Sequence, residues 1–209
     1  MKKKLIGITI FGDSIIKYQK NKIIYNWSSK VAKKLKKKTN IRLKFKVKSV
    51  VGINSNGLLK IITKILDKNF VNDIALIQIG INDSWHYKSL KGKACVPIKD
   101  FKKNLIKIKS KCKNFGYKKI IFLNYHRLLN SRREINGKTL NENLRKYNLE
   151  IKSFCKKHKV DLIDIQKLTK KIKNICLPLP DGIHLNNKGT KIYSNLITNF
   201  LLKILNEKK

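Results

Sequence analysis

Residues 71–80 contain neither lysine nor arginine, in a chain where those two types make up 50 of 209 residues. A stretch kept free of cations in so basic a sequence belongs where water does not reach. Ile74–Gly80 is short, apolar but for Gln78, and closed by glycine, the pattern of a strand covered on both faces. Leu5–Phe11, ending at Gly12, has the same character. Leu43–Val51 alternates lysine with Leu, Phe and Val, as a half-buried strand does. Lys119–Leu123 and Val160–Ile165 complete a set of five. Between them lie segments with apolar residues at helical spacing: Trp27–Leu35 (with Asn26 or Ser28 near its start), Leu58–Leu66, Asp100–Asn114, Leu140–His158 and Lys188–Leu205. In the third of these Phe101, Leu105, Ile106 and Ile108 form the apolar side. Strands alternating with helices predict a mostly parallel five-stranded sheet with helices on both faces. The expectation is one three-layer α/β/α domain over residues 1–209, flavodoxin-like in architecture.

The charge balance is extreme. Against the 50 cations stand 12 Asp plus Glu, giving a formal net charge of +38. A nucleic-acid or anionic-surface protein is the obvious candidate. Only five of the cations are arginine, however, the residue that reads bases and phosphates in fixed geometry. The lysines spread along most of the chain, and the densest run, residues 31–38, reads as a solvated helix face. We read the charge as compositional drift, with no specific nucleic-acid partner and only non-specific attraction of polyanions at low salt. No apolar run approaches the ~20 residues needed to span a membrane. The basic start followed by Leu5–Phe11 imitates a signal peptide, but no small-residue cleavage site follows. A buried first strand and a cytoplasmic protein are the expectation. Cys95, Cys112, Cys155 and Cys176 form no C-x-x-C pair and no zinc-type spacing, so they are read as reduced, mostly buried thiols and no metal site is expected.

In sheets of this kind, functional residues follow the carboxyl ends of the strands. Four blocks meet that demand. Phe11-Gly12-Asp13-Ser14 follows the first strand, and Val51-Gly52-Ile53-Asn54-Ser55 the second. Gly80-Ile81-Asn82-Asp83 follows the third, and Pro180-Asp181-Gly182-Ile183-His184 lies near the carboxyl end. Each alone is a common turn. Together, in this order, they resemble the SGNH or GDSL-type hydrolases, whose four letters fall here on Ser14, Gly52, Asn82 and His184. The resemblance runs from Phe11 to Gly189. Ile15 stands where the family name has Leu, an apolar exchange. Gly57 lies close enough to Gly52 to compete for the second position.

The chemistry fits those residue types. A serine hydroxyl is a weak nucleophile until a base takes its proton. His184 is the candidate base, because an imidazole is the side chain that most readily exchanges a proton near neutral pH. Asp181, three residues earlier, can accept its other ring N–H and fix the tautomer. The resemblance implies an oxyanion hole made by the Ser14 and Gly52 backbone N–H groups and the Asn82 amide. It also implies an acyl-enzyme mechanism on ester substrates with no cofactor. A small or carbohydrate-borne ester, an acetyl ester among them, is expected, because no long insertion or apolar lid is evident. Asp13, Asp83 and Trp85 sit inside or beside the blocks, and His126 follows the fourth strand; these four are candidate substrate contacts. His86 and Tyr87 are alternatives for pocket lining, Arg132 and Arg133 for steering an anionic group, and His158 is read as surface. Two further functions stay open: acyl transfer to a sugar hydroxyl at the same site, and a basic polyanion-binding module on a hydrolase-like scaffold.

Overall fold

The computed structural model describes residues 5–65, 73–87 and 91–206. Strand β1 (Leu5–Gly12) runs into a hairpin, β2 (Lys17–Lys20) and β3 (Ile23–Asn26), which the sequence analysis does not anticipate. Helix α1 (Trp27–Lys38), β4 (Arg42–Ser49), α2 (Ser55–Ile65), β5 (Ile74–Gln78), α3 (Ile98–Asn114) and β6 (Lys119–Leu123) follow. The chain continues with α4 (Leu140–Lys157), β7 (Asp161–Ile163), a short α5 (Ile165–Leu168) and α6 (Asn187–Asn206). Five strands form one parallel sheet in the order β4-β1-β5-β6-β7. This is the flavodoxin-like order, as expected.

Strand alternation divides the core. Ile6, Ile8 and Ile10 of β1, Ile74 and Leu76 of β5, and Ile121 and Leu123 of β6 face one side, where α1 and α6 pack together. Ala75, Ile77, Ile120 and Phe122 face the other, covered by α2, α3 and most of α4. Successive side chains on a strand point to opposite faces, so strands with apolar residues at successive positions feed both cores at once. The stretch from Leu5 that imitates a signal peptide is therefore one of the innermost strands.

Helix ends follow their caps. Asn26 Oδ1 accepts the Ser29 N–H and caps α1. Thr139 and Glu142 form a capping box at α4. Some expectations need correction. The second sheet strand ends at Ser49, not Val51, so Gly52 sits in the following turn. Asp164 caps α5 through the Lys167 N–H and stops β7 at Ile163. Ile106 is 46% exposed, while Cys112 takes its place in the buried stripe of α3. Leu66, the expected end of the second helix, lies outside the described residues.

The order also locates the site. From β1 the chain goes outward to β4, then crosses back to β5 on the opposite side of β1. Ligand sites in open α/β sheets lie at such a reversal, beyond the carboxyl ends of the strands.

Candidate active site

Ser14 follows β1 in a tight turn. Asp13 is fully buried beneath it. One Asp13 oxygen accepts the Ile15 N–H at 2.9 Å and the other accepts the Tyr125 hydroxyl. Burial pushes the Asp13 carboxyl up to about 7, with the Tyr125 and Ile15 hydrogen bonds opposing. Asp13 thus holds the turn.

His184 reaches Ser14 from the far end of the chain. Its Nε2 lies 2.9 Å from Ser14 Oγ, and its Nδ1 lies 2.9 Å from Asp181 Oδ2. Asp181 Oδ1 also accepts the backbone N–H groups of Ile183 and His184, at 2.9 and 2.8 Å. Partial burial pushes the Asp181 carboxyl up, but these two N–H groups and the His184 ring outweigh it and hold the pKa below the usual value. A carboxylate accepts only, so Nδ1 carries the proton and Nε2 is left to accept from the Ser14 hydroxyl. Gly182 makes the turn at φ +60°, where a Cβ would stand 2.6 Å from the Asn130 nitrogen. The Gly182 carbonyl receives the Leu129 and Asn130 N–H groups, which fix the loop to the segment after β6.

His126 lies behind this loop and is fully buried. Its Nε2 meets the Ile183 carbonyl at 3.1 Å and its Nδ1 the Tyr193 hydroxyl at 2.6 Å. The carbonyl can only accept, so the ring is the Nε2–H tautomer with Nδ1 accepting. Burial pushes its pKa down to about 4, so it stays neutral. Both nitrogens are engaged inside the protein, and His126 props the residue next to His184.

The other wall comes from the turns after β4 and β5. Asp83 is fully buried and accepts the Ser55 N–H, at 2.9 and 3.1 Å to its two oxygens, and the Ser55 hydroxyl. Asn104 donates to Ser55 Oγ at 2.7 Å. Burial raises the Asp83 carboxyl to about 6 against the Ser55 bonds. Asp83 therefore caps α2 from another loop and clamps the two turns together. Asn82 donates one amide hydrogen to the Ile53 carbonyl at 2.9 Å. The two ties bring the Asn82 amide beside the turn holding Gly52. Gly52 is glycine for its φ of +73°, not for close approach, since a Cβ there would meet nothing within 4 Å. The Gly57 N–H is taken by Asn54 Oδ1 at 3.0 Å, inside the first turn of α2.

A family model for GDSL-like lipase/acylhydrolase matches residues 8–197. The chain belongs to this family. With the family comes the class: an enzyme that hydrolyses esters. Among curated proteins none matches. Solved structures share the fold at low identity. A lipase/acylhydrolase of Enterococcus faecalis superposes with a TM-score of 0.74 at 18% identity, over 94% of this chain and 95% of its own. A catalytic mutant of Axe2, an acetylxylan esterase of Geobacillus stearothermophilus, gives 0.73 at 16%, over 95% of each chain. LAE5, an alpha/beta hydrolase enzyme from the metagenome of Lake Arreo, gives 0.71 at 18%, over 92% and 93%.

Around the core of this GDSL-type hydrolase, Trp85 is half-buried with the Arg132 guanidinium 5.4 Å from its ring centre. Arg133 is turned away, donating to the Gly137 carbonyl at 2.7 Å. The His86 N–H donates to Glu134 at 2.9 Å, and Tyr87 is exposed. His158 caps the carboxyl end of α4, half-buried against Phe154. Cys112, Cys155 and Cys176 are buried thiols and Cys95 is half-buried. Among the described residues no helix is long and apolar enough to cross a membrane, and no group of three or more His, Cys, Asp or Glu could hold a metal ion.

One site residue escaped the sequence. Tyr18, in β2, stacks on His184 with ring centroids 3.6 Å apart and planes 5° from parallel. Its signal was the hairpin itself: Asn21 and Lys22 both take positive φ between two short alternating segments. Lys22 stands where such turns favour glycine, which hides the pattern.

Proposed function

We propose that this hydrolase is a serine esterase working through an acyl-enzyme on a small or carbohydrate-borne ester, an acetyl ester foremost. The observation that carries the proposal is the continuous relay Asp181–His184–Ser14, with both ring nitrogens 2.9 Å from their partners. Ser14 Oγ attacks the ester carbonyl carbon while its proton passes to His184 Nε2. The oxyanion that forms is met by the Ser14 and Gly52 N–H groups and by the second Asn82 amide hydrogen. Collapse breaks the bond to the alcohol oxygen, which leaves with the proton from Nε2. Water then gives its proton to Nε2, attacks the acyl carbon and releases the acid and Ser14. Asp181 keeps the Nδ1 proton in place and stabilises the imidazolium that forms in each half. The fold likeness to acetylxylan esterase Axe2 supports the choice of acyl group. A cytoplasmic setting, where the four thiols stay reduced, belongs to the same proposal.

The test is fluorophosphonate labelling together with hydrolysis of p-nitrophenyl acetate. The protein is expected to be labelled at Ser14 and to turn over the ester, and Ser14→Ala to lose both. Equal rates in the two proteins would remove Ser14 as nucleophile. A steep salt dependence of polyanion binding without esterase activity would turn the reading toward the basic module that the +38 charge suggests.

A further inference from the structure

The face of His184 is covered by an aromatic ring in nearly complete overlap. Aromatic pairs ordinarily prefer offset or edge-to-face geometry with centroids 4.5–7 Å apart, because two similar quadrupoles repel when stacked squarely. At 3.6 Å and 5° the Tyr18 ring lies as a plate on the imidazole. Such a pairing gains most when the lower ring carries positive charge, since a cation is attracted to an aromatic face. In the mechanism proposed above, His184 becomes an imidazolium once in each half-reaction.

Tyr18 is also held in place. It pairs with Tyr25 across the hairpin, and the antiparallel register sets both side chains on the same face. The hairpin is otherwise largely open: Lys17, Gln19, Ile23 and Ile24 are exposed, and Tyr18 is half-buried. Asp181 lies near its hydroxyl, and burial together with that carboxylate raises the phenol's pKa, so the ring stays neutral. His184 is thus held from three sides: by Asp181 at Nδ1, by His126 through the Ile183 carbonyl, and by Tyr18 over its face.

We propose that Tyr18 is a positioning residue of the esterase, fixing the plane of the His184 ring between Ser14 and Asp181 and favouring its protonated form in the transition state. This rests on the esterase reading. It assigns the β2–β3 hairpin a catalytic purpose that packing alone does not give it.

The experiment compares Tyr18→Phe, which keeps the ring, with Tyr18→Leu, which fills space without an aromatic face. Tyr18→Leu is expected to lower kcat about 3- to 30-fold with a smaller change in KM, and to slow fluorophosphonate labelling of Ser14 in parallel. Tyr18→Phe is expected to stay near the parent in both. A second readout needs no turnover: the carbon-bound ring protons of His184 should show an upfield ring-current displacement by NMR in the parent and in Tyr18→Phe, lost in Tyr18→Leu. That measurement on the parent and on Tyr18→Phe holds even where Tyr18→Leu fails to fold. Absence of the displacement overturns the inference. So does labelling of a folded Tyr18→Leu at the parent rate, which would make the stack mere packing. Absence of labelling in the parent overturns the esterase reading, and this role with it.

Discussion

Asp181 and the pair Asp13 and Asp83 are carboxyl groups of one site in opposite surroundings. Asp181 lies at the rim, collects two backbone N–H bonds and a ring N–H, and is held charged. Asp13 and Asp83 lie on the dry floor, tie turns together through hydroxyl and N–H groups, and are raised to about 7 and about 6 by burial. The contrast separates two duties. Orienting an imidazole that becomes positive needs a charge. Holding a turn needs an acceptor, and protonation does not destroy it.

The sharpest way to break that contrast is to amidate each acid. Asp181→Asn is expected to cost ~10⁴-fold in kcat, because an amide facing Nδ1 favours the wrong tautomer. Its Oδ1 can still accept the Ile183 and His184 N–H groups, so the melting temperature should stay close to the parent's. Asp13→Asn should retain far more activity, and equal losses in the two variants, measured on p-nitrophenyl acetate, would erase the distinction.

Asp83→Ala should show the reverse balance. It removes the acceptor for the Ser55 N–H and hydroxyl in a buried position, which typically costs about 1–3 kcal/mol. Urea unfolding reads that loss. Activity should fall less than in Asp181→Asn, since the clamp acts on the oxyanion donors only by placing them.

The pH dependence of stability sharpens the comparison with the smallest effect. A carboxyl raised above its ordinary 3.8 binds its proton more readily folded than unfolded. The stability it contributes is therefore fully present below 3.8 and is lost as pH rises toward about 6 for Asp83 and about 7 for Asp13. Asp181, held low, acts in the opposite sense: its contribution is present above 3.8 and fades as pH falls. Asp13→Asn is expected to flatten the decline between 3.8 and about 7, as followed by thermal melts across that range. An unchanged slope would mean that burial does not govern Asp13.

Much of this site is written in local pattern. The runs at Leu5 and Ile74 had to be buried because they carry no charge and only one polar side chain each, and their alternation with amphipathic segments left few ways to build a sheet. The four blocks then followed at strand exits, where backbone ends leave side chains free for chemistry. Polarity without context does not say where a group's hydrogen bonds go. Asp13, Asp83 and His126 look functional in sequence because they are polar and stand at strand exits. Their hydrogen-bond partners, Tyr125, Ser55 and Tyr193, come from distant segments.

The sequence by itself therefore determined the layered sheet and the four blocks that carry the family resemblance, since burial demands and residue chemistry are carried by each short segment alone. Only the tertiary structure decided which polar groups remain open to a substrate and which are consumed within the protein. It also decided that Tyr18 lies against His184, residues 166 positions apart. Whether a hydrogen-bonding group is free, or a ring is covered, depends on neighbours brought up by other parts of the chain, and no local pattern encodes them.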